Sequence, residues 1–478
     1  MSATRIEQDS MGAMTVPESA LYGASTQRAV ENFPISGRPV PGAIIHAYGW
    51  LKAACADTNK ALGRLNPERA DAIVKAASEL GEGKHFEHFP VDVFQTGSGT
   101  STNMNANEVI ANLICVANGA PIGSSKDAAY IGDKDTGAGV HPNDHVNMGQ
   151  SSNDTFPTAM HIAAAYDIDK HLIPALTAAH KTLDAQATTW DDVVKIGRTH
   201  LQDATPIRLG QEFSGYAAQM RKAVERAERA RDVLLELPIG GTAVGTGINT
   251  HPDFSKHVCA WLSGKLGLAF READNHFESQ HAKDAVVEAS AHTKTIAVSL
   301  TTIANDIRWL GSGPRCGIGE LKLPAVQPGS SIMPGKVNPV ICEAVMMAAC
   351  RVIGNDATVT AGGLGGVGSL LDLNVAMPVI AEALLDSITL LATSTNVFRE
   401  KLLDGLEPDR ERCAELIEGS LAMCTSLVPV IGYDASAALA KRAYAEGKTV
   451  RELALEEGTL SAEQLNELLD PMSMTHAS

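Results

Sequence analysis

Small and apolar residues recur along this chain at alternating steps of four and three, the spacing of one face of an α-helix. The longest series consists of Ala282, Val286, Ala289, Thr293, Ile296, Leu300, Ile303, Ile307 and Leu310. Gly311 follows it and offers a stop signal. The pattern predicts a helix over 282–310, which would be about 45 Å long at 1.5 Å per residue.

Three further segments follow the same spacing. They run from Phe213 to Leu234, from Ile380 to Leu402, and from near Thr155 toward Trp190. In the last of these, we expect Asp154 to cap the helix and Pro157 to lie in its first turn. Four rods of this length predict an elongated helical bundle, and they favour packing against other subunits.

The rest of the chain is less regular. Gly, Pro and Asn clusters interrupt the segment before about residue 150, and shorter helical patterns such as Leu453 to Leu469 follow about residue 407. We therefore predict an N-terminal domain at 1–148, a central helical bundle at 149–407 and a small C-terminal helical domain at 408–478. The predicted fold class is mainly α.

Composition and charge narrow the classes of function. Among 478 residues, 56 Asp and Glu outnumber 39 Lys and Arg, which gives a formal net charge of −17. An acidic chain without a basic run is a poor match for nucleic acid or for an anionic membrane surface. Because there are only 10 Phe, 7 Tyr and 4 Trp, the core must be mainly aliphatic, which suits closely packed helices.

The cysteines and the N-terminal segment bear on the cellular compartment. The eight cysteines form no CxxC pair and have no zinc-finger spacing. The segment that carries Arg5, Glu7 and Asp9 has no apolar core of the secretory type, and no run of about 18 apolar residues predicts a spanning helix. We therefore expect a cytoplasmic protein with reduced thiols and no membrane association.

Four polar, glycine-containing segments stand out against the helical background. Their Ser, Thr and Asn side chains can donate hydrogen bonds, and glycine lets backbone N–H groups approach a ligand. Each segment lies beside a predicted long helix, whose N-terminus would favour an anion. Together they predict a shared anion pocket rather than four unrelated turns. The segments are QTGSGTSTNMNANE (95–108), HPNDHVNMGQSSND (141–154), GRTHLQDATP (197–206) and GSSIMPGKVNP (329–339), the last followed by Glu343.

Two glycine patterns resemble nucleotide-binding motifs but fail in detail. Five residues separate the glycines of Gly329–Gly335 where a P-loop has four, and Val337 follows Lys336 where Ser or Thr would hold magnesium. A GxGxxG at Gly363–Gly368 follows the strand-like residues 357–360, as a dinucleotide site would require. Because no alternating strands and helices surround it, we do not favour a Rossmann domain.

Two histidine positions carry candidate chemistry. His141 and His145 are four residues apart with Asp144 between them, a spacing that binds metal on a helix, although Pro142 favours a turn instead. His200 lies in a crowded polar segment, and an imidazole that titrates near neutrality suits acid–base catalysis. A hydrogen-bonded structural role for His200 is the alternative.

At these residues the sequence resembles the class II fumarases of the fumarase/aspartase superfamily. GSSIMPGKVNP matches the characteristic motif of the superfamily, and QTGSGTSTNMNANE, HPNDHVN, SSNDTFPTAMHIA and GRTHLQDATP match in the expected order. His200 after Thr199 is typical of fumarases, since aspartases carry Gln there, and Gly240–Pro252 is also similar to fumarases. The resemblance covers nearly the whole chain, from about Glu7 onward.

This resemblance implies the reversible anti addition of water to fumarate, giving (S)-malate, in the tricarboxylic acid cycle. It implies no metal and no organic cofactor. It also implies a three-domain fold whose central helices assemble into the core of a homotetramer, with three subunits contributing to each active site. Aspartate ammonia-lyase of the same superfamily is the alternative activity. A dinucleotide enzyme and a non-catalytic member of the fold are further alternatives.

The resemblance also implies roles for single residues. Ser330 is the expected base for the C3 proton of malate, His200 is expected to handle the hydroxyl or water, and Glu343 to orient or charge the imidazole. Lys336, Asn338 and the N–H of Ser331 are expected to stabilise the intermediate. The residues expected to bind the substrate carboxylates are Ser98, Gly99, Thr100, Ser151, Ser152, Asn153 and Thr199.

A secondary anion site is implied at His141, Asn143 and Asp144, where a turn that caps the next helix is an equally good interpretation. The sequence also departs from the family pattern in three places. About a dozen additional residues lie within 117–139, residues 362–368 are unusually rich in glycine, and 371–374 read Leu-Asp-Leu-Asn where the family has Glu-Leu-Asn after an aromatic residue.

Overall fold

The computed structural model describes residues 3–133, 138–458 and 460–477. Over these residues the fold is mainly α, as predicted. The α-helices are α1 Ala24–Asn32, α2 Gly42–Ala61, α3 Pro67–Gly81, α4 Thr100–Ala117, α5 Ala128–Ile131, α6 Ser152–Asp167, α7 Ile173–Thr189, α8 Leu209–Asp232, α9 Phe254–Leu266, α10 His276–His281, α11 Asp284–Leu310, α12 Val340–Gly363, α13 Met377–Lys401, α14 Arg410–Glu418, α15 Val428–Ile431, α16 Tyr433–Glu446, α17 Val450–Glu457 and α18 Ala462–Leu468.

The strands are short and pair only two at a time within the described residues. They are β1 Thr4–Asp9, β2 Gly12–Pro17, β3 Val194–Thr199, β4 Gln202–Arg208, β5 Glu236–Leu237, β6 Arg271–Glu272, β7 Leu321–Lys322, β8 Ser369–Leu370, β9 Leu373–Asn374 and β10 Glu407–Pro408. The pairs β1–β2, β3–β4, β7–β10 and β8–β9 are antiparallel, and β5–β6 is parallel. Short 3₁₀ and π-helical segments are Phe86–His88, Ser124–Lys126, Pro142–Val146, Ile168–Leu172, Leu403–Gly405, Leu421–Leu427 and Met472–Thr475.

The chain forms two compact units. The first contains Met1–Ile173, Arg226–Ala297 and Cys350–Leu391, and the second contains Pro174–Glu225, Val298–Ala349 and Ala392–Ser478. Each unit is built from three separate stretches of chain. The three contiguous domains expected from the sequence therefore stay a prediction.

The long helices confirm the prediction made from the spacing of the apolar residues. Helices α8, α11 and α13 begin and end within a few residues of the predicted rods. The fourth rod is α6 followed by α7, with the π-helical turn Ile168–Leu172 between them. The four rods were predictable because each buries a continuous apolar stripe.

Two details at the start of the fourth rod were wrong. Ser151, not Asp154, is the N-cap of α6, and Asp154 is the third helical residue of a capping box. Pro157 lies inside α6, in its second turn rather than its first. The capping box was missed because both residue types are good N-caps, and sequence alone does not choose between them.

The strand-like interpretation of residues 357–360 was also wrong, because these residues lie in α12. The Gly363–Gly368 motif therefore follows a helix and not a strand, which removes the context that a dinucleotide site needs. In the C-terminal region, α17 and α18 confirm the helical pattern between Leu453 and Leu469. Within the predicted insertion, residues 134–137 lie outside the described residues.

Small residues bring helices close together in the first unit. A Cβ placed on Gly49 of α2 would lie 2.1 Å from the backbone nitrogen of Gly81 in α3, and a Cβ on Gly81 would lie 2.5 Å from the ring of Trp50. Only glycine permits this approach. In the second unit, the C-terminal helices pack against β3 through a cluster of buried aliphatic side chains. The cluster includes Ile196 of β3 and, from the C-terminal region, Leu427, Leu439, Leu453 and Leu465.

One segment, Met377–Gly405, is long and apolar enough by composition to cross a membrane, with a mean hydropathy of 1.3. However, 61% of that window is buried inside the protein. Buried core helices of globular proteins commonly have this composition. We therefore interpret the segment, which contains α13, as a core helix.

Candidate active site

In the first unit, three predicted site residues form a chain of hydroxyl groups. Ser98 Oγ lies 2.8 Å from Thr100 Oγ1, which lies 2.6 Å from Ser152 Oγ. Thr100 begins α4 and Ser152 begins α6. The hydroxyl contact therefore brings two helix N-termini together. Since a helix N-terminus carries a partial positive charge, this is a favourable place for a carboxylate.

Two glycines allow the loop before α4 to pack closely against neighbouring segments. Gly99 is the N-cap of α4 with φ of 73°, and a Cβ there would lie 2.0 Å from the ring of Phe156. A Cβ at Gly97 would lie 1.6 Å from the carbonyl oxygen of Val375. The Met377 N–H donates a hydrogen bond to Gly97 O, which holds the segment around Val375 in place. Both positions therefore require glycine, and the expected role of Gly99 in binding a substrate carboxylate stays a prediction.

The start of α6 is tied to the fumarase-like segment Gly240–Pro252. The buried Asp154 carboxylate accepts hydrogen bonds from the N–H groups of Ser151, Gly240 and Thr242 at 2.9–3.0 Å. Burial raises the pKa of Asp154 to about 6, although these N–H donors act against the shift. Asn153 Nδ2 donates to the carbonyl of Ala243. The contacts fix the segment Ser151–Asn153.

Lys52, which was not predicted from the sequence, connects two of the polar segments. Its side chain is fully buried, and Nζ donates to Asn103 Oδ1 at 2.8 Å and to Asn147 Oδ1 and Gln150 Oε1 at 2.9 Å. Asn103 lies in α4, and Asn147 and Gln150 directly precede the cap of α6. Burial lowers the pKa of Lys52 to about 7, since its near neighbours are neutral amides. A lone Lys in the apolar run of α2 was the signal available in the sequence.

We expect Lys52→Met to lower the free energy of unfolding by about 1–3 kcal/mol, because it leaves buried amide oxygens unpaired. We expect kcat/KM to fall about 10- to 100-fold through misplacement of Thr100 and Ser152. The unfolded lysine has a pKa of about 10.4, so the unfolded chain binds more protons between about pH 7 and 10. Wild-type stability should therefore rise over that window relative to the variant.

Urea denaturation at fixed protein concentration, repeated from pH 7 to 10, measures both the loss and its pH dependence. Lys60→Met is the matched control, because the Nζ of Lys60 pairs with the exposed Asp71 on the surface. Equal stability of wild type and Lys52→Met at every pH would contradict the role of Lys52.

In the second unit, Thr199 and His200 lie at the tip of the β3–β4 hairpin. The two residues of the turn, His200 and Leu201, have φ of 58° and 59°, the left-handed region that hairpin turns of this length require. Neither is glycine or asparagine, so both residues are held in a costly conformation. Thr199 and His200 are exposed in this chain.

A buried ion cluster supports this hairpin. Both oxygens of Glu320, which is fully buried, accept hydrogen bonds from Arg198 at 2.8 and 2.9 Å. Lys195 Nζ lies 3.2 Å from Glu320 and 3.2 Å from Glu212. The bidentate Arg198–Glu320 contact fixes the strand that leads into Thr199, so the imidazole projects from a rigid base.

The loop Gly329–Asn338 is closed by its own hydrogen bonds. The Gly329 N–H donates to Lys336 O at 2.8 Å, and Asn338 Nδ2 donates to Gly329 O at 2.7 Å. Ser330 Oγ accepts the N–H groups of Ile332 at 3.2 Å and Met333 at 3.0 Å. Ser331 and Lys336 are exposed. Two backbone donors on one hydroxyl oxygen would favour its negatively charged form.

The structure brings some predicted residues together and leaves others apart. Ser98, Thr100 and Ser152 share one cluster in the first unit. In the second unit, Ser330 and Asn338 share one loop, and Glu343 lies exposed in the first turn of α12. Within the described part of the chain, no hydrogen bond or ion pair joins His200 to Glu343. The expected pairing of these two residues stays a prediction.

In the predicted secondary anion site, Asn143 and Asp144 lie in the π-helical turn Pro142–Val146, and His141 is the N-cap of that turn. His141 Nδ1 accepts the N–H groups of Asn143 and Asp144, so the turn-capping interpretation describes its geometry. Asp144 also borders a cavity of about 690 Å³ whose lining includes Lys60 and Arg64. These two cations were not predicted from the sequence, because they come from a distant segment.

The histidines of this turn are poor metal ligands. His145 Nδ1 accepts the His141 N–H at 2.9 Å, and burial lowers the pKa of His145 to about 4. With Nδ1 accepting in both rings, each Nε2 carries the proton. A second set with metal-binding spacing, His85, Glu87 and His88, has the same difficulty at His88, whose Nδ1 accepts the Leu21 N–H.

Protein-family models match most of the chain. A model described as "Lyase" matches residues 12–354, and one described as "Fumarase C C-terminus" matches residues 423–476. Among curated relatives, the class II fumarate hydratase of Corynebacterium glutamicum is 52% identical over 99% of this chain and 96% of the relative. That of Halobacterium salinarum is 51% identical over 99% of this chain and 97% of the relative.

Solved structures agree with this relationship. A class II fumarase from Schistosoma mansoni is 38% identical, with a TM-score of 0.91 over 99% of both chains. A fumarate lyase:delta crystallin from Brucella melitensis, bound to cobalt, is 42% identical with a TM-score of 0.92 over 99% of this chain and 100% of that chain. By sequence and by fold, this chain belongs to the class II fumarate hydratase family of lyases.

Proposed function

We propose that this protein catalyses the reversible anti addition of water to fumarate, giving (S)-malate. Identity of about half over the full chain to class II fumarate hydratases is the observation that carries the proposal. The hydroxyl cluster of Ser98, Thr100 and Ser152 at two helix N-termini supports it, since a dicarboxylate needs such donors. Within the superfamily, His200 favours hydration over ammonia release from aspartate.

Removal of the C3 proton of malate places a second negative charge on the adjacent carboxylate. Lys336, Asn338 and the N–H of Ser331 are suited to bind that charge as it develops. Ser330 Oγ takes the proton, and its alkoxide is stabilised by the Ile332 and Met333 N–H groups that it already accepts. His200 then protonates the departing hydroxyl, which leaves as water, with Glu343 charging the imidazole.

The test is an assay of purified protein with malate and with aspartate, following the ultraviolet absorbance of fumarate. Malate should produce fumarate at least about 10³-fold faster than aspartate does, because an active site built for water departure has no recognition of an ammonium group. Faster formation of fumarate from aspartate would support the ammonia-lyase alternative instead.

We also propose a homotetramer in which three subunits contribute to each active site. Large apolar side chains on the long helices are exposed in the single chain, including Met347 at 67%, Val298 and Ile353. The loop that carries Ser330 also exposes Ile332 at 83%. Apolar exposure of this kind favours association. Sedimentation should give a tetramer, and activity in a monomeric species would contradict the shared site.

The cellular setting is part of the same proposal. Interconversion of fumarate and malate is a step of the tricarboxylic acid cycle, and we propose that the protein acts there, in the cytoplasm. The buried thiols support a reducing compartment: Cys55, Cys115, Cys259, Cys342 and Cys413 are all buried and free.

A further inference from the structure

A cavity of about 260 Å³ lies between α2 and α6 in the first unit. None of its lining residues is a predicted site residue, so the proposed hydration does not use it. Its volume corresponds to about nine water molecules at the liquid density, which suits a small organic molecule. The aliphatic part of the lining comes from Ala43, Ala47, Ile162 and Leu266.

Aromatic rings form much of the remaining wall. The His46 ring is stacked on Tyr166, with centroids 6.4 Å apart, and meets Phe86 edge-on at 6.2 Å. Phe86 reaches this position because Gly42 has no Cβ, which would lie 2.9 Å from the Phe86 ring. Burial lowers the pKa of His46, so its ring is neutral near pH 7. Aromatic faces of this kind attract cations.

The acidic group of the cavity is Asp167. It lies at the junction of α6 with the π-helical turn Ile168–Leu172, and π-helical insertions occur often at functional sites. Its side chain is 20% exposed, and within the described residues it accepts no hydrogen bond. The His171 imidazole lies 3.9 Å from the Asp167 carboxylate and is itself 63% exposed.

Other charges near the cavity are already engaged. The Lys265 ammonium lies 4.2 Å from the centroid of the Trp50 ring and does not line the cavity. Asp169, which lies two residues after Asp167 in the π-helical turn, forms an ion pair with Arg231 at 2.9 Å. Of these two carboxylates, Asp167 is therefore the one that remains open to a ligand.

We propose that this cavity binds a small organic ammonium ion with an aromatic body. The ammonium N–H groups donate to the open Asp167 carboxylate, and the aromatic body packs on the rings of His46, Phe86 and Tyr166. A partly buried carboxylate without a donor excludes an anionic ligand, and the aromatic wall gives an arylalkylamine more contact than a hydrated metal ion. Benzylamine has the size and the chemistry that the cavity requires.

Calorimetric titration of the intact enzyme compares benzylamine with benzyl alcohol, its uncharged analogue. We expect saturable benzylamine binding at or below about 10 mM, weakened at least tenfold by Asp167→Asn, which keeps the size of the side chain. Benzyl alcohol binding should be weak and unchanged by that variant. Tyr166→Leu should weaken both ligands.

Asp169→Asn is the matched control and should leave benzylamine binding unchanged, because Asp169 faces Arg231 instead of the cavity. The proposal is overturned if wild type shows no saturable benzylamine binding, if Asp167→Asn binds benzylamine as tightly as wild type, or if malate displaces benzylamine competitively. None of these readouts depends on whether the protein hydrates fumarate.

Discussion

Replacing Ser330 with alanine should lower kcat for malate dehydration by about 10²–10⁴-fold, the usual contribution of one general base. The reason lies in its two hydrogen bonds. The N–H groups of Ile332 and Met333 already donate to Oγ, so they are in place to stabilise the alkoxide that we propose as the base for the C3 proton. Stopped-flow or steady-state measurement of fumarate absorbance gives kcat and KM separately.

A control has to separate this chemistry from loop structure, because the same two hydrogen bonds would also make Ser330 a simple cap. Ser330→Asn keeps an acceptor for both N–H groups but removes the hydroxyl. If Ser330 acts as the base, the Asn variant should be as inactive as the Ala variant. Recovery of activity by Asn would assign the serine a structural role only. Ser331→Ala, which removes the neighbouring exposed hydroxyl, should have a much smaller effect.

His200→Asn should lower kcat by about 10²–10³-fold and change KM by less than about threefold. At this position of the hairpin, asparagine can remove the imidazole without changing the backbone conformation. Asparagine tolerates the left-handed conformation that position 200 requires, so the turn is preserved while the imidazole is lost. A change confined to KM would contradict the acid–base role of His200.

Leu201→Asn provides the matched control at the next position of the same turn. It also favours the left-handed conformation, but it leaves the imidazole in place, so kcat should stay close to wild type. A loss of turnover in Leu201→Asn as large as in His200→Asn would mean that the shape of the hairpin tip, and not the imidazole, carries the effect.

The two inactive variants together test the shared site. If Ser330 and His200 of one active site come from different subunits, equal mixing of Ser330→Ala and His200→Asn chains restores about a quarter of the sites, since each of two independent positions is intact half of the time. Mixed tetramers assembled by co-expression should therefore recover activity. If both residues come from one subunit, mixing restores no intact site.

Much of the fold followed from the sequence because apolar stripes are local. The series from Ala282 to Leu310 predicted α11 almost to the residue. Helix α12 was missed, because its Thr358, Val359 and Thr360 favour strands in isolation and tertiary packing overrides that preference. The N-cap of α6 was misassigned because serine and aspartate are both good N-cap residues. Only the geometry shows that the side chain of Ser151 accepts a first-turn N–H, which makes Ser151 the N-cap.

The polar segments were recognisable from their Gly, Ser, Thr and Asn content, and the contact of Thr100 with Ser152 agrees with a shared pocket for two of them. Lys52 could not be found in this way. Its role depends on three amide oxygens from segments about 50 and 95 residues away along the chain, which no local pattern reveals. Burial of a lysine among amide oxygens is a tertiary property, and the sequence offered only its unusual place in an apolar run.

The glycines of the loop before α4 limit which amino-acid substitutions this loop can accept. A side chain at Gly97 would strike a backbone carbonyl, and one at Gly99 would strike an aromatic ring of the core, so neither collision is relieved by a rotamer change. A library that randomises residues 97–100 should therefore return glycine at both positions among active clones. Within residues 97–100, only Ser98 and Thr100 then remain free to vary, so this segment offers evolution a narrow route to altered specificity.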